Sequence, residues 1–199
     1  MFILLVIYDS SIQYSLSEIL SWNLQSARAL EYIHSRKYVH RNITSRTMIL
    51  DYSRRKLKIC SFGFCKNVFS PENVELFALH TVNNISENFT DKSDVCLWGL
   101  VFYECFSRIL LINDPIFTTL GKEVSTNLLL EKKNIPKEIF KLMKQCTRKN
   151  VTERLSMSEI VKKIEMFSKQ NTSINNMDFE KLFISDKLLK VSIYKFFHL

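Results

Sequence analysis

Glycine is scarce in this sequence, with three residues among 199. A glycine-rich phosphate-binding loop is therefore excluded, because such a loop needs several closely spaced glycines. No two of the five cysteines form a C-x-x-C pair, so nothing in the sequence predicts a metal site. An odd number of cysteines favours a reduced interior over a secreted disulfide framework, and we expect a cytoplasmic location.

The signatures of a nucleic-acid-binding protein are also missing, although the net charge is +8. The densest basic runs are short: residues 54–56, 132–133 and 162–163. Neither zinc-finger spacing nor an aromatic RNA-binding motif accompanies them. The excess charge therefore predicts a solvated basic surface, and we expect no nucleic-acid partner.

Apolar runs are present, but none suits a signal peptide or a membrane span. Residues 1–8, MFILLVIY, lack a basic n-region and a small-residue cleavage site, so they predict a buried strand. The run from Val95 to Ile112 contains Glu104 and Arg108, which a spanning helix rarely tolerates. It predicts instead the buried central helix of a helical domain.

The remaining pattern predicts a mostly helical domain with one small β-hairpin. A capping box at residues 15–18, SLSE, opens an amphipathic helix that reaches about His34. TMILDY and KLKIC, residues 47–52 and 56–60, predict two short strands around a polar turn. Further helices are expected from Asp94 to about Ser107, from Lys137 to Cys146 and from Ser156 onward, with loops over residues 38–46 and 64–90.

Five motifs follow one another along residues 1–168: ALEYIHSRKYVHRN, HRNITSRT, KICSFGFCK, FTDKSDVCLWGLVFYEC and CTRKNVTERLSMSEI. In this order they resemble the C-terminal lobe of a protein kinase, most closely of the tyrosine-kinase branch. The matching positions are His40, Arg41 and Arg46 of the catalytic loop, Phe62 and Gly63 of the D-F-G triplet, Asp94 and Gly99 of the central helix, and Arg154 of the C-terminal signature. The resemblance implies a kinase-like lobe over residues 1–168 and a tail, residues 169–199, without an assigned role.

The positions that carry the chemistry depart from the family pattern. Phosphoryl transfer needs a bound nucleotide, metal ions on its phosphates and a carboxylate that orients the attacking hydroxyl. By resemblance, Asn42 occupies the carboxylate position, while Thr47 and Ser61 occupy the two metal-ligand positions. ATP and magnesium, the cofactors that the family implies, would lack their usual ligands here. We therefore expect no intact catalytic, cofactor-binding or metal site.

The family's N-terminal lobe, which supplies a glycine-rich loop and a phosphate-binding lysine, has no counterpart beyond its last strand. We expect that strand to be residues 1–8. The uncovered surface, including the apolar segment from Phe2 to Ile7, then predicts poor solubility and either self-association or a protein partner.

For the surviving positions the resemblance implies structural roles. His40 and Phe62 resemble members of the apolar stack that runs through a kinase, and Asp94 resembles the carboxylate that caps backbone amides of the catalytic loop. In the family, the arginine at the position of Arg41 contacts a phosphorylated activation loop. Because residues 64–90 contain no tyrosine, we expect Arg41 to be a surface or loop-bracing residue.

Two further expectations concern side-chain partners. In the family, the arginine at the position of Arg154 pairs with a glutamate, for which Glu87 is the nearest candidate here. Arg154 is therefore expected to reach Glu87 or solvent. His34 has no partner at a suggestive spacing, which predicts an ordinary core or surface histidine.

Three functional hypotheses follow. The first is a catalytically inactive kinase-like protein that acts through protein–protein interaction. The second is an active tyrosine kinase whose N-terminal lobe belongs to a longer product of the same gene, and a transcript encoding a glycine-rich loop and a V-A-I-K-like lysine would favour it. The third is a truncated product without function, which shares every sequence feature with the first.

Overall fold

The computed structural model describes residues 1–69, 89–108 and 135–170. The described part is mostly helical, as predicted, and it contains two small antiparallel sheets where one hairpin was expected. The helices are α1 (Ile3–Tyr8), α2 (Leu16–Ser35), α3 (Asp91–Ser107), α4 (Lys137–Cys146) and α5 (Met157–Gln170). The strands are β1 (Tyr38–Val39), β2 (Met48–Leu50), β3 (Leu57–Ile59) and β4 (Lys66–Asn67).

The first segment is a helix, so the predicted strand over residues 1–8 is wrong. Ile3, Val6 and Ile7 face the core, whereas Phe2 and Leu5 are 44% and 53% exposed. This burial follows the helical period of 3.6, which an unbroken apolar run does not reveal. Only Phe2 pairs like a strand, through a single antiparallel bridge to Ile49. The exposed apolar surface is thus smaller than expected.

The long helix α2 confirms the prediction from its capping box and its apolar spacing. The Ser15 hydroxyl accepts from the Glu18 N–H at 3.2 Å, and the Glu18 carboxylate accepts from the Ser15 N–H at 2.8 Å. This reciprocal arrangement satisfies two N–H groups at the start of the helix. The apolar side of α2 packs on both α3 and α5, so α2 links these two helices.

The central helix α3 is buried on nearly all sides, as its composition predicts. Val95, Trp98 and Phe102 are wholly inaccessible to solvent, and the Trp98 indole N–H donates to the Ser26 hydroxyl at 2.9 Å. The helix ends at Ser107, and the capping residue Arg108 adopts a left-handed conformation. Within the three described segments, none of the helices has the length and hydropathy needed to cross a bilayer.

The predicted β-hairpin is present, with Met48 opposite Ile59 and Leu50 opposite Leu57. The second sheet was not predicted: β1 pairs with β4 through two residues on each strand, within segments expected to be loops. Strands of two residues are too short to show an alternation of apolar and polar residues in the sequence. Residues 70–88 of the predicted long loop, Glu87 included, lie outside the described residues, as do residues 171–199 of the tail.

Candidate functional site

The loop between β1 and β2, residues 40–47, is held by a carboxylate from the central helix. Asp94 Oδ2 accepts from the His40 N–H at 2.7 Å, and Asp94 Oδ1 accepts from the Arg41 N–H at 2.8 Å. The contact that the resemblance implies for Asp94 is therefore present. Asp94 is 0% exposed, and charge-assisted hydrogen bonds of this kind compensate for the burial of a carboxylate.

A third group contacts the same carboxylate, and it was missed by sequence reasoning. The ring of His34, in the last turn of α2, places Nε2 2.9 Å from Asp94 Oδ2. The two residues are 60 positions apart, and neither helical periodicity nor a motif links them. His34 thus joins α2 to the start of α3, and Asp94 in turn holds the catalytic-loop backbone.

His40 contributes its ring to the interior of the site. Its ring meets the ring of Phe62 edge-on, with 4.8 Å between centroids. Nε2 lies 3.0 Å from the Cys60 carbonyl, and Nδ1 accepts from the Asn42 N–H at 3.3 Å. A neutral ring protonated on Nε2 satisfies both contacts. Burial lowers the pKa of His40 below its ordinary value of 6.5, against the opposing effect of the nearby Asp94 charge.

The lowered pKa of His40 predicts a loss of stability in mild acid. Between the folded-state pKa and 6.5, the unfolded chain binds more protons at this position than the native chain. The free energy of unfolding should therefore fall as the pH falls below 6.5 and level off below the folded-state pKa. Urea denaturation between about pH 7.5 and pH 5.5 measures this slope.

The His40→Phe variant is the control, because it keeps an aromatic ring against Phe62 and removes the titrating group. Its unfolding free energy should vary less over the same pH range than that of the wild type. Equal slopes for the two proteins would show that His40 does not cause the acid sensitivity.

Thr47, at one of the two positions that correspond by resemblance to metal ligands, points its hydroxyl into the loop itself. Thr47 is buried. Its Oγ1 lies 2.8 Å from the Asn42 carbonyl and 3.0 Å from the Thr44 carbonyl, either of which can take its proton. The same oxygen accepts from the Thr44 N–H at 3.0 Å. The Thr47 hydroxyl therefore closes the loop as a backbone brace.

Ser61, the other expected metal-ligand position, lies beside this loop. The Cys60 N–H donates to the Thr47 carbonyl at 2.8 Å, which joins the end of β3 to the end of the catalytic loop. Ser61 is exposed and adopts a left-handed conformation, with φ 68° and ψ 48°. Non-glycine residues adopt this conformation uncommonly, and its cost is of the order of 1–3 kcal/mol.

The three substituted positions offer oxygen atoms but no ionised oxygen. Asn42 carries an amide, which does not take up a proton at neutral pH. Thr47 and Ser61 carry hydroxyls, which magnesium accepts less readily than carboxylates. Among the residues that the structure describes, no group of three or more histidine, cysteine, aspartate or glutamate side chains is placed to hold a metal ion.

The two arginines of the loop differ in their surroundings. Arg41 is buried and has a positive φ of 68°, and its burial lowers the pKa of the guanidinium below its ordinary value. Of the two roles expected for Arg41, burial excludes the surface position and leaves the loop-bracing one. Arg46 is exposed, and its N–H donates to the Thr44 hydroxyl at 3.2 Å.

Arg154 is held by backbone carbonyl groups. Its Nη1 donates to the Lys92 carbonyl at 3.1 Å and its Nε to the Arg148 carbonyl at 2.8 Å. In return, Lys92 Nζ donates to the Arg154 carbonyl at 2.8 Å. This exchange ties the segment before α5 to the first turn of α3, so Arg154 is not left to solvent.

The two glycines of the motifs have different surroundings. A Cβ atom at Gly63 would meet no atom within 4 Å, and its φ is not positive, so the local structure does not demand glycine there. A Cβ atom at Gly99 would lie 2.8 Å from the Cβ of Cys146. Gly99 therefore permits the close approach of α3 and α4.

Comparisons with known proteins agree with this architecture. The family model described as "Protein tyrosine and serine/threonine kinase" matches residues 4–164. Mitogen-activated protein kinase kinase kinase 7 of Homo sapiens is 30% identical over 158 residues, which cover 75% of this chain and 26% of that protein. The putative mitogen-activated protein kinase kinase kinase 7-like protein of Drosophila melanogaster is 28% identical over 201 residues, 94% of this chain and 50% of the relative.

A receptor is similar over nearly the same length. Vascular endothelial growth factor receptor 1 of Gallus gallus is 28% identical over 163 residues, which cover 75% of this chain and 12% of the receptor. The chain therefore spans half or less of the length of each of these three relatives.

Proposed function

This chain belongs to the protein kinase family, and from that premise we propose that it is a catalytically inactive member that acts through protein–protein interaction. The proposal covers a C-terminal kinase lobe over residues 1–168. It includes a cytoplasmic location, for which the five free cysteines are the support.

The observation that carries the proposal is the chemistry of Asn42, Thr47 and Ser61. General acid–base catalysis contributes roughly 10²–10⁴-fold to a rate, and an asparagine amide forfeits that contribution. Two hydroxyls in place of the metal ligands weaken the hold on magnesium, which neutralises the charge that develops on the phosphates. The Thr47 hydroxyl also has partners within the loop backbone. Each loss falls on a different part of the mechanism, so one does not compensate for another.

The surface proposed for protein contacts is the outward side of α1. Leu5 and Tyr8 are 53% and 39% exposed and lie three residues apart on one side of the helix, and Phe2, directly before the helix, is 44% exposed. Exposed apolar stripes beside polar residues are typical of protein contact surfaces. A second copy of the chain or a different protein would bury these side chains.

Incubation of the chain with magnesium and γ-labelled ATP tests the enzymatic half of the proposal. With generic serine, threonine and tyrosine substrates, we expect no label above the background without protein and no rise in melting temperature with Mg-ATP. Label that exceeds the background, and that disappears in the Asn42→Ala variant, would refute catalytic inactivity.

Light scattering after size exclusion tests the contact surface. We expect a mass above the 23.5 kDa of one chain and a return to that mass in the Leu5→Glu variant. Tyr52→Glu is the matched control, because Tyr52 is fully exposed and lies in the β2–β3 turn. A wild-type protein that stays monomeric at all concentrations would contradict self-association through α1.

A further inference from the structure

The positive charge of the chain is concentrated in its last described segment. Residues 137–170 contain nine lysines and arginines against four glutamates, which leaves five of the eight net positive charges in this segment. The segment forms α4 and α5, two helices that contact each other. Neither helix takes part in the site described above.

Three lysines share the outward face of α4. Lys137, Lys141 and Lys144 are separated by four and three residues, so they lie on one side of the helix. The buried residues of α4 lie on the opposite side: Ile139, Leu142, Met143 and Cys146. Lys144 Nζ lies 4.9 Å from the centre of the Phe140 ring, which adds an aromatic group beside the lysines.

The outward side of α5 also carries lysines beside an apolar side chain. Lys162, Lys163 and Lys169 are exposed, and Met166 among them is 59% exposed. The buried residues of α5 form the other side: Met157, Ile160, Val161, Ile164 and Phe167. Two adjoining helices thus carry six lysines, five exposed and one (Lys144) half-buried, together with one large exposed apolar side chain.

Three of the four glutamates of this segment have other hydrogen-bond or ion-pair partners, and the fourth, Glu138, is exposed next to Lys137. Glu165 pairs with Arg28 at 2.5 Å, Glu153 pairs with Arg148 at 3.3 Å, and Glu159 accepts from the N–H and hydroxyl of Ser156. Across residues 1–69, 89–108 and 135–170, no ion pair within 4.0 Å joins the six lysines to a carboxylate. Among the described residues this surface therefore keeps a net positive charge, which an anionic partner would neutralise.

We propose that the outward faces of α4 and α5 adsorb to the surface of an anionic phospholipid bilayer. Clusters of four to eight basic residues on amphipathic helices are typical of binding to phosphatidylserine-rich membranes, with about 1 kcal/mol for each basic residue near the surface. Met166 and the Phe140 ring supply apolar groups for the boundary between headgroups and acyl chains. The inference does not depend on the proposed lack of catalysis.

All six basic residues on these two helix faces are lysines, which favours a membrane over a specific protein partner. Arginine and aromatic residues are enriched in the centres of protein interfaces, whereas lysine is depleted there. Arginine also binds carboxylates and phosphates in a directional, bidentate way, whereas lysine acts as a point charge on a flexible stem. A bilayer is a broad array of charged headgroups and needs no directional match. One half-buried aromatic ring falls short of the stacking platforms that bind single-stranded nucleic acids.

Sedimentation of the full chain with phosphatidylcholine vesicles, with and without phosphatidylserine, tests the proposal. We expect binding only to the vesicles that contain phosphatidylserine, with a loss of binding at high salt. The triple variant Lys137→Gln, Lys141→Gln, Lys144→Gln should lower the partition coefficient about 100-fold, since each lysine contributes about fivefold. The matching triple variant at Lys162, Lys163 and Lys169 should have a similar effect.

The control is the triple variant Arg55→Gln, Lys56→Gln, Lys58→Gln, which makes the same change in net charge at three exposed residues of the β2–β3 hairpin. It should keep most of the binding. Equal losses in control and α4 variants would overturn the proposal, because net charge alone would then explain the adsorption. Absence of binding to phosphatidylserine vesicles would overturn it as well, and so would preferential binding to a polyglutamate peptide or an oligonucleotide.

Discussion

Replacing Asp94 with alanine should lower the free energy of unfolding by about 4 kcal/mol. The substitution leaves the N–H groups of His40 and Arg41 buried without their acceptor, and each unsatisfied buried donor costs about 1–3 kcal/mol. It also removes the partner of the His34 ring. Urea denaturation followed by circular dichroism measures the change.

Asp91→Ala is the matched control for Asp94. Asp91 lies one turn earlier on α3, is half-buried, and its carboxylate accepts from the adjacent Lys92 N–H at 2.9 Å. We expect a loss of less than about 1 kcal/mol there. Asp94→Asn keeps one acceptor oxygen, so its loss of unfolding free energy should lie between those of Asp91→Ala and Asp94→Ala. If Asp94→Ala does not fold, Asp94→Asn is compared with Asp91→Ala instead. Equal losses for Asp91→Ala and Asp94→Ala would show that the buried carboxylate does not stabilise the loop.

Replacing Gly99 with alanine should lower the free energy of unfolding by about 1–3 kcal/mol, the usual cost of overpacking a core. On an exposed part of a helix the same change would stabilise the protein by about 1 kcal/mol, because alanine has the higher helix propensity. At Gly99 the substitution should instead lower the free energy of unfolding, because the new Cβ would lie 2.8 Å from the Cβ of Cys146 and 3.3 Å from Thr147 Cγ2. The positions of the new Cβ and of the Cys146 Cβ are fixed by the backbone, so α3 and α4 must move apart to relieve the contact.

A double-mutant cycle with Cys146→Gly isolates this contact. Removal of the opposing Cβ should make the Gly99→Ala substitution less costly in the Cys146→Gly background than in the wild type. Gly63→Ala serves as a second control, because its Cβ would meet no atom within 4 Å. If Gly99→Ala cost the same in both backgrounds, the α3–α4 contact would not be its cause.

The elements that sequence reasoning predicted correctly carry local signals. Helix α2 has a capping box and an apolar stripe, and Pro136 immediately precedes α4. Helix α3 begins at Asp91, three residues before the predicted start, and the Ser93 hydroxyl there accepts from the Thr90 N–H. Because caps and periodic apolar positions lie within one element, a single sequence is enough to reveal them.

The elements that were missed depend on distant residues. The apolar run before Tyr8 suits a strand as well as a helix, and its packing against the core made it a helix. The β1–β4 pair joins Tyr38 to Asn67, and the contact of His34 with Asp94 joins residues 60 positions apart. No local pattern specifies pairings of this kind, since they form only when the chain has folded around them.

The chemical groups at the catalytic positions can be read directly from the amino-acid sequence. An amide at Asn42 and hydroxyls at Thr47 and Ser61 follow from residue identity, as does membership of the kinase family. What these groups contact could be learned only from the folded structure. The Thr47 hydroxyl binds the loop backbone, and Asp94 is satisfied by groups from α2 and the catalytic loop. This difference arises because a side chain's composition is covalent, whereas its hydrogen-bond partners come from segments that only the packed core brings within about 3 Å.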